Sequence, residues 1–165
     1  PHGALVLGKW GAVALLGLGV AALTSVGFIP AQWLIRSDSL QAMFQFGWWE
    51  ALAFWLLQIP MAAGISAVLM AFAIRSKTFK EAQAGSSVVM MAVSLTPLVT
   101  IMNPGAEAPW HYWVPGLGQN ALMLLVLKGE ALRWTQVLPS FIVGAAMTVA
   151  GLAYVARSMR GAVAR

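Results

Sequence analysis

The polar residues that could carry chemistry are concentrated in two segments, of which the first is a short charged run at residues 75–83, Arg-Ser-Lys-Thr-Phe-Lys-Glu-Ala-Gln. Thr78 is followed three residues later by Glu81, which is the spacing of a capping box at a helix N-terminus. We therefore predict a short amphipathic helix that presents polar side chains to a soluble partner. The plainer alternative is a charged stretch that only anchors its apolar neighbours. The residues assigned to this partner-coupling loop are Arg75, Lys77, Phe79, Lys80, Glu81 and Gln83.

The second segment, residues 108–130, combines prolines, glycines and side-chain amides with a short apolar run at residues 121–127. That run is too short to cross a bilayer, and lengths of this kind suit interfacial or re-entrant elements. Trp110, Tyr112 and Trp113 are typical of an interfacial aromatic belt. We expect a broken, re-entrant helical element whose polar groups line a cavity. The residues assigned to it as an outer gate are Pro115, Gln119, Asn120 and Glu130.

Catalytic and metal-binding patterns are missing from the sequence. Residues 3–10 nearly match a phosphate-binding loop, but Trp10 occupies the hydroxyl position and no strand precedes the segment. Gly8-Lys9 is therefore interpreted as an anchor for the apolar run that follows. The chain has no cysteine and only two histidines, which lie far apart in the sequence. We predict no catalytic residue, no metal site and no cofactor, and hence a protein that is not itself an enzyme.

Composition and hydropathy place the chain in a membrane. Of its 165 residues, 60% are hydrophobic and 9% are charged, whereas a soluble domain carries about 25% charged residues. Apolar runs that cover the hydrocarbon core need about 20 residues, and runs without strand alternation are helices. The predicted spans are residues 10–35, 51–74, 84–104 and 135–156. We predict an all-α polytopic bundle, a single transmembrane domain of four transmembrane helices plus the re-entrant element, with kinks at Pro60 and Pro97.

The placement of charge predicts the orientation. Ten Lys and Arg against five Asp and Glu give a net charge of +5, which is too sparse for a nucleic-acid-binding surface. With four spans, both termini and the 75–83 loop share one side of the membrane. That side collects Lys9, Arg75, Lys77, Lys80, Arg157, Arg160 and Arg165. The positive-inside rule then puts both termini in the cytoplasm.

Three landmarks resemble those of type-2 ABC exporter permeases of the sodium-efflux-like branch. Residues 75–83 resemble the R-[ST]-x-K-E-A-Q segment that this family places on the cytoplasmic side, just before its fifth span. The pattern V-P-x-x-x-Q-N at 114–120, followed by Gly129-Glu130, resembles the family's outer re-entrant element. Gly8-Lys9 resembles the G-K that precedes its third span. The resemblance covers essentially the whole chain and matches the last four of the family's six spans.

The resemblance implies a permease subunit in the bacterial inner membrane, surrounded by lipid. Two permeases would dimerise, and each would dock a separate ATP-binding subunit at the 75–83 loop. ATP binding would push on this loop and rock the spans between inward- and outward-facing states, with the 108–130 element as the outer gate. The alternative is a small structural or assembly subunit of a larger membrane complex, with no transport pathway of its own.

Overall fold

The computed structural model describes residues 2–34, 46–102 and 108–163, and in those residues every regular element is a helix. The α-helices are α1 (His2–Ala31), α2 (Trp48–Arg75), α3 (Phe79–Leu95), α4 (Pro97–Met102), α5 (Leu117–Leu127) and α6 (Trp134–Val163). Short 3₁₀ turns follow α1 at Gln32–Leu34 and precede α5 at Pro109–Trp113.

Four helical stretches are long and apolar enough to cross a membrane: Gly3–Leu34, Trp48–Arg75, Phe79–Met102 and Trp134–Gly161. The prediction of an all-α fold with four such helices is therefore confirmed. All four begin before the predicted boundary. The first contains Lys9 instead of following it, and the third takes in most of the residues assigned to the 75–83 loop.

Helix α2 is the centre of the bundle, and α1 packs against it in the antiparallel sense. The indole Nε1 of Trp10 donates to the Ala63 carbonyl oxygen at 3.0 Å, and the indole Nε1 of Trp55 donates to the Leu18 carbonyl oxygen at 2.9 Å. An indole N–H that leaves water needs an acceptor, and each helix supplies one to the other. These two hydrogen bonds therefore fix the register of α1 on α2.

Helix α6 runs parallel to α2, along a seam of small residues. A Cβ placed at Gly144 would lie 2.5 Å from the Pro60 Cβ, and a Cβ placed at Gly151 would lie 2.9 Å from the Ala67 carbonyl oxygen. Ala67 is fully buried in this seam. Small residues let helix backbones approach closely, so the glycines of α6 set the distance between the two helices.

These directions put five basic residues at one end of the bundle. The end of α2, the start of α3 and the end of α6 meet there, and we call it the basic end; its described Lys and Arg residues are Arg75, Lys77, Lys80, Arg157 and Arg160. Which membrane face it meets stays a prediction, and Arg165 lies outside the described residues.

Lys9 is placed differently from the prediction. Its neighbour Trp10 is level with Ala63, and Ala63 is about 18 Å from Arg75 at about 1.5 Å per residue. Lys9 therefore lies within the first long helix. It is farther from the basic end than a lysine side chain can reach.

Pro60 and Pro97, the prolines at which kinks were predicted, have different effects. Pro97 has no N–H to donate, and the helix is interrupted at Thr96, between α3 and α4. The Val93 carbonyl oxygen instead accepts from both the backbone N–H and the hydroxyl of Thr96, at 3.2 and 2.7 Å. At Pro97, where a kink was predicted, the span is interrupted between two helices, and α2 continues as one helix through Pro60, where the kink stays a prediction.

Candidate functional site

The first candidate surface is the turn that joins α2 to α3 at the basic end. Ser76 ends α2, because its N–H and its hydroxyl both donate to the Phe72 carbonyl oxygen, at 3.2 and 2.9 Å. The Thr78 hydroxyl then accepts from the Glu81 N–H at 3.2 Å, and the Glu81 carboxylate accepts from the Lys77 N–H at 2.9 Å. The N-cap predicted at Thr78 is thus present, but the capping box is incomplete, because Glu81 accepts from the N–H of Lys77 and not from that of Thr78. The two bonds together hold the turn in a fixed shape.

The separate short helix predicted at this turn is absent. Residues 79–83 are the first turns of α3, which continues to Leu95 without a break. The reason is that the cap starts a helix and nothing after it stops one before Pro97. A push on this turn would therefore act directly on a long apolar helix.

The side chains predicted to meet a partner are exposed at this turn. Phe79 is 82% exposed, and it stands beside charged groups. The other residues of the set, Arg75, Lys77, Lys80, Glu81 and Gln83, are also exposed. A large exposed aromatic ring among bases is typical of a protein-contact surface, although Glu81 already serves as a helix cap.

The second candidate is the inserted hairpin, by which we mean residues 108–127. Its tip, at Val114 and Pro115, packs into a small gap lined by Met61, Gly144 and Met147. Met61 lies about 20 Å along α2 from its start at about 1.5 Å per residue, so the tip reaches roughly the middle of the helix.

The return limb of the hairpin, α5, runs back along α2. Leu122 and Leu125 pack against Leu57, and Leu127 packs near Ala51 at the start of α2. The hairpin therefore enters and leaves the bundle at the same end, which is the path that a re-entrant element would take; its place in a membrane stays a prediction. We call this the hairpin end, opposite the basic end.

At the tip, the hairpin meets the break between α3 and α4. Gly116 has a φ of +83°, and a Cβ there would lie 2.6 Å from the Thr96 hydroxyl oxygen. The Gly116 N–H donates to the Gln119 Oε1 at 3.0 Å. Gln119 is buried and caps the start of α5, so its polar group is used in holding the tip together.

The other assigned gate residues have distinct surroundings. Asn120 donates from Nδ2 to the Thr100 hydroxyl at 3.4 Å and lines a cavity between α1, α2 and α5. Glu130 is exposed, and its N–H donates to the Leu125 carbonyl oxygen beside Gly129, whose φ is +71°. This bond and the positive φ of Gly129 are those of a Schellman cap. The Gly-Glu pair is therefore explained as the sequence that ends α5.

One residue of the hairpin, Tyr112, was misassigned from the sequence, and its two α6 partners were missed. Tyr112 is buried, unlike the exposed Trp110 and Trp113, so its assignment to an aromatic belt is wrong. Its carbonyl oxygen accepts from the Ser140 hydroxyl at 3.1 Å, and its own hydroxyl accepts from the Gln136 amide at 3.2 Å.

Gln58 was also missed, although a signal for it existed. It carries a polar amide inside the predicted span 51–74, which has no charged residue. Polar side chains at such positions either form hydrogen bonds to another helix or line a cavity. In the structure it faces the same cavity as Asn120.

Comparisons with protein-family models, with curated proteins and with solved structures find no match for this chain. Its class is therefore defined by its own features. Its described residues form an all-helical fold with four helices long and apolar enough to span a membrane, one inserted hairpin and a capped basic turn.

Proposed function

We propose that this chain is the membrane permease subunit of an ATP-driven exporter of the type-2 ABC class. The observation that carries the proposal is that the two landmark segments approach α2 from opposite ends. The run at 75–83 is an exposed, capped turn at the basic end, and the run at 114–120 includes the tip of the inserted hairpin, which comes from the hairpin end and reaches the middle of α2. A transporter driven from one side needs a rigid contact at that side and a closure towards the other.

The turn at 75–83 is suited to transmit a push. Its two hydrogen bonds between Lys77, Thr78 and Glu81 leave little slack between α2 and α3. Phe79 projects from it as an apolar group that a pocket in a soluble subunit would bury. Lys80 adds a charge that would pair with an acidic residue of that subunit.

The second step of the proposed mechanism takes place at the hairpin tip. Gly116 touches Thr96 at the break in the third span, so a movement of α3 is passed to the hairpin at that contact. Irregular backbone at membrane depth is tolerated where protein covers it, and transporters commonly place such breaks near the pathway. In this proposal the tip opens and closes the route towards the hairpin end.

The test is copurification of the tagged chain from native membranes, followed by an assay of ATP hydrolysis in the eluate. We expect an ATP-binding subunit in the eluate, and at least about tenfold less of it with Phe79→Ala or Lys80→Glu. The matched control is Arg160→Glu, an equal charge change on an exposed residue at the same end. Glu81→Gln keeps an acceptor for the Lys77 N–H but removes the charge, so it tests whether the carboxylate itself contributes to the contact.

A different outcome would support the alternative. If the chain copurifies in fixed ratio with a large membrane assembly that contains no ATP-binding subunit, it is a structural or assembly subunit. If an ATP-binding subunit is present but Phe79→Ala and Arg160→Glu reduce it equally, the 75–83 turn is not the contact and the proposed coupling is wrong.

A further inference from the structure

A cavity of about 330 Å³ lies between α1, α2 and α5, apart from the hairpin tip. This volume falls within the range of roughly 300–1,000 Å³ that is common for small-molecule sites. None of the described residues that line it is charged. Four of them carry a hydroxyl or an amide, namely Thr24, Ser25, Gln58 and Asn120, and most of the others are apolar.

The two amides of the cavity have hydrogen-bonding capacity to spare. The only hydrogen bond that the described residues offer the Gln58 amide is to the Met123 sulfur, at 3.9 Å. The Asn120 amide donates to the Thr100 hydroxyl at a long 3.4 Å. Sulfur is a weak acceptor, and both side-chain carbonyl oxygens accept no bond from the described residues.

The cavity lies at a depth where water is scarce. Gln58 is about 15 Å along α2 from its start at about 1.5 Å per residue. Polar groups in hydrocarbon gain strongly from a partner. At the α1 side Thr24 and Phe28 are exposed, while Ser25 and Phe54 are buried. The lining of the cavity therefore includes exposed side chains of α1, past which a molecule dissolved in the bilayer could enter.

We propose that this cavity binds an uncharged amphipathic molecule with a hydroxyl or amide head group. The head group would exchange hydrogen bonds with Gln58 and Asn120, and the alkyl part would lie against Phe28 and Phe54. A charged head group would be excluded, because no lining side chain could pair with it and its desolvation is unfavourable. The inference does not depend on the proposed function, since binding is measured on the full chain without ATP or a partner.

The test uses the full chain in phosphatidylcholine nanodiscs and 1-octanol with a diazirine on its alkyl chain. After photolysis, mass spectrometry locates the labelled peptides. We expect saturable labelling of the peptides that carry Phe28 and Met123. Unlabelled 1-octanol should compete at least about fivefold better than octane or octylammonium, the difference expected for one neutral hydrogen bond.

Variants separate the cavity from the general lipid surface. Gln58→Leu and Asn120→Leu keep the side-chain bulk but remove the amide, and each should weaken competition by 1-octanol about fivefold while leaving octane unchanged. Ala21→Leu places extra carbons in the cavity and should weaken both the labelling by photoreactive 1-octanol and the competition by octane. Ser87→Ala, an exposed hydroxyl on α3 that bonds only its own helix in the described structure, is the matched control and should change nothing.

Three results would overturn the proposal. Labelling that does not saturate would show that there is no site. Equal competition by octane and 1-octanol would show an apolar crevice that takes lipid chains. Unchanged competition in both Gln58→Leu and Asn120→Leu, with the unfolding midpoint of each variant equal to that of the parent chain, would remove the proposed role of the amides.

Discussion

Substituting Gly144 by alanine tests the seam that joins α6 to α2. The added Cβ would lie 2.5 Å from the Pro60 Cβ and 2.6 Å from the Pro60 carbonyl oxygen. Carbon atoms in contact prefer about 3.5–4.0 Å, so the helices must separate by about 1 Å. The Pro60 Cβ is part of the pyrrolidine ring and the Pro60 carbonyl oxygen is part of the α2 backbone, so neither atom can rotate away. We expect the variant to lose about 1–3 kcal/mol of stability, the usual result of overpacking.

Matched controls come from α1, where alanine at Gly17 or Gly19 would meet nothing within 4 Å. In a helix, replacing glycine by alanine stabilises by about 0.5–1 kcal/mol when there is room. The difference between Gly144→Ala and Gly17→Ala should thus reach about 1.5–4 kcal/mol. Gly151→Ala should fall between them, because its nearest contacts are at 2.9 Å.

The assay is reversible unfolding of the purified chain from mixed micelles by increasing SDS, followed by tryptophan fluorescence. A difference of about 1.4 kcal/mol corresponds to tenfold in the folding equilibrium, which this measurement resolves. If Gly144→Ala unfolds at the same SDS fraction as Gly17→Ala, α6 does not pack on Pro60 and the parallel arrangement of the two helices is wrong.

Three further substitutions test the turns and the α1–α2 register. Gly116→Ala should destabilise by more than Gly129→Ala in the same SDS unfolding assay, because both have positive φ but only Gly116 also meets a neighbour, at 2.6 Å; equal losses would show that the tip does not touch the third span. Thr78→Ala should lose about 0.5–2 kcal/mol of helix stability and speed hydrogen exchange in the first turn of α3, whereas Thr78→Ser should behave as the parent chain; identical exchange in both variants would mean that no cap forms. Trp55→Phe should lose about 1 kcal/mol with its hydrogen bond, while Trp49→Phe, at a ring 81% exposed, should be neutral; the reverse order would refute the register.

The sequence predicts the helical class and the four long helices because hydropathy is a local property. Each run must satisfy its own backbone in lipid, and its length alone shows that it can span. The N-cap at Thr78 and the interruption at Pro97 are local as well, and both are present. Helix boundaries are predicted less well from hydropathy, because polar and apolar turns of a helix have the same backbone. The polar residues before position 84 are therefore helical too, and α3 begins at Phe79.

Contacts between distant segments could not be predicted in this way. Nothing near Gly116 in the sequence says that it will meet Thr96, and nothing near Gly144 says that it will meet Pro60. Both contacts depend on the depth to which one element enters the bundle. The position of Lys9 along the bundle could not be predicted for the same reason. It follows from the register of α1 on α2 and not from the hydropathy of the residues beside Lys9.

The helix caps change how the candidate sites should be tested. Sequence reasoning singled out Glu81 and Gln119 as polar groups for a partner or a pathway, yet each accepts a hydrogen bond from the backbone N–H at the start of its own helix. A charge reversal at Glu81 would therefore remove a cap and a contact together, and a loss of activity could not be assigned to either. Glu81→Gln keeps the acceptor and removes the charge, whereas Gln119 is buried and a glutamate there would bring a charge into an apolar site. If partner binding responds to Glu81→Gln, the carboxylate acts directly; if it responds only to Glu81→Ala, its part is to hold the turn in shape.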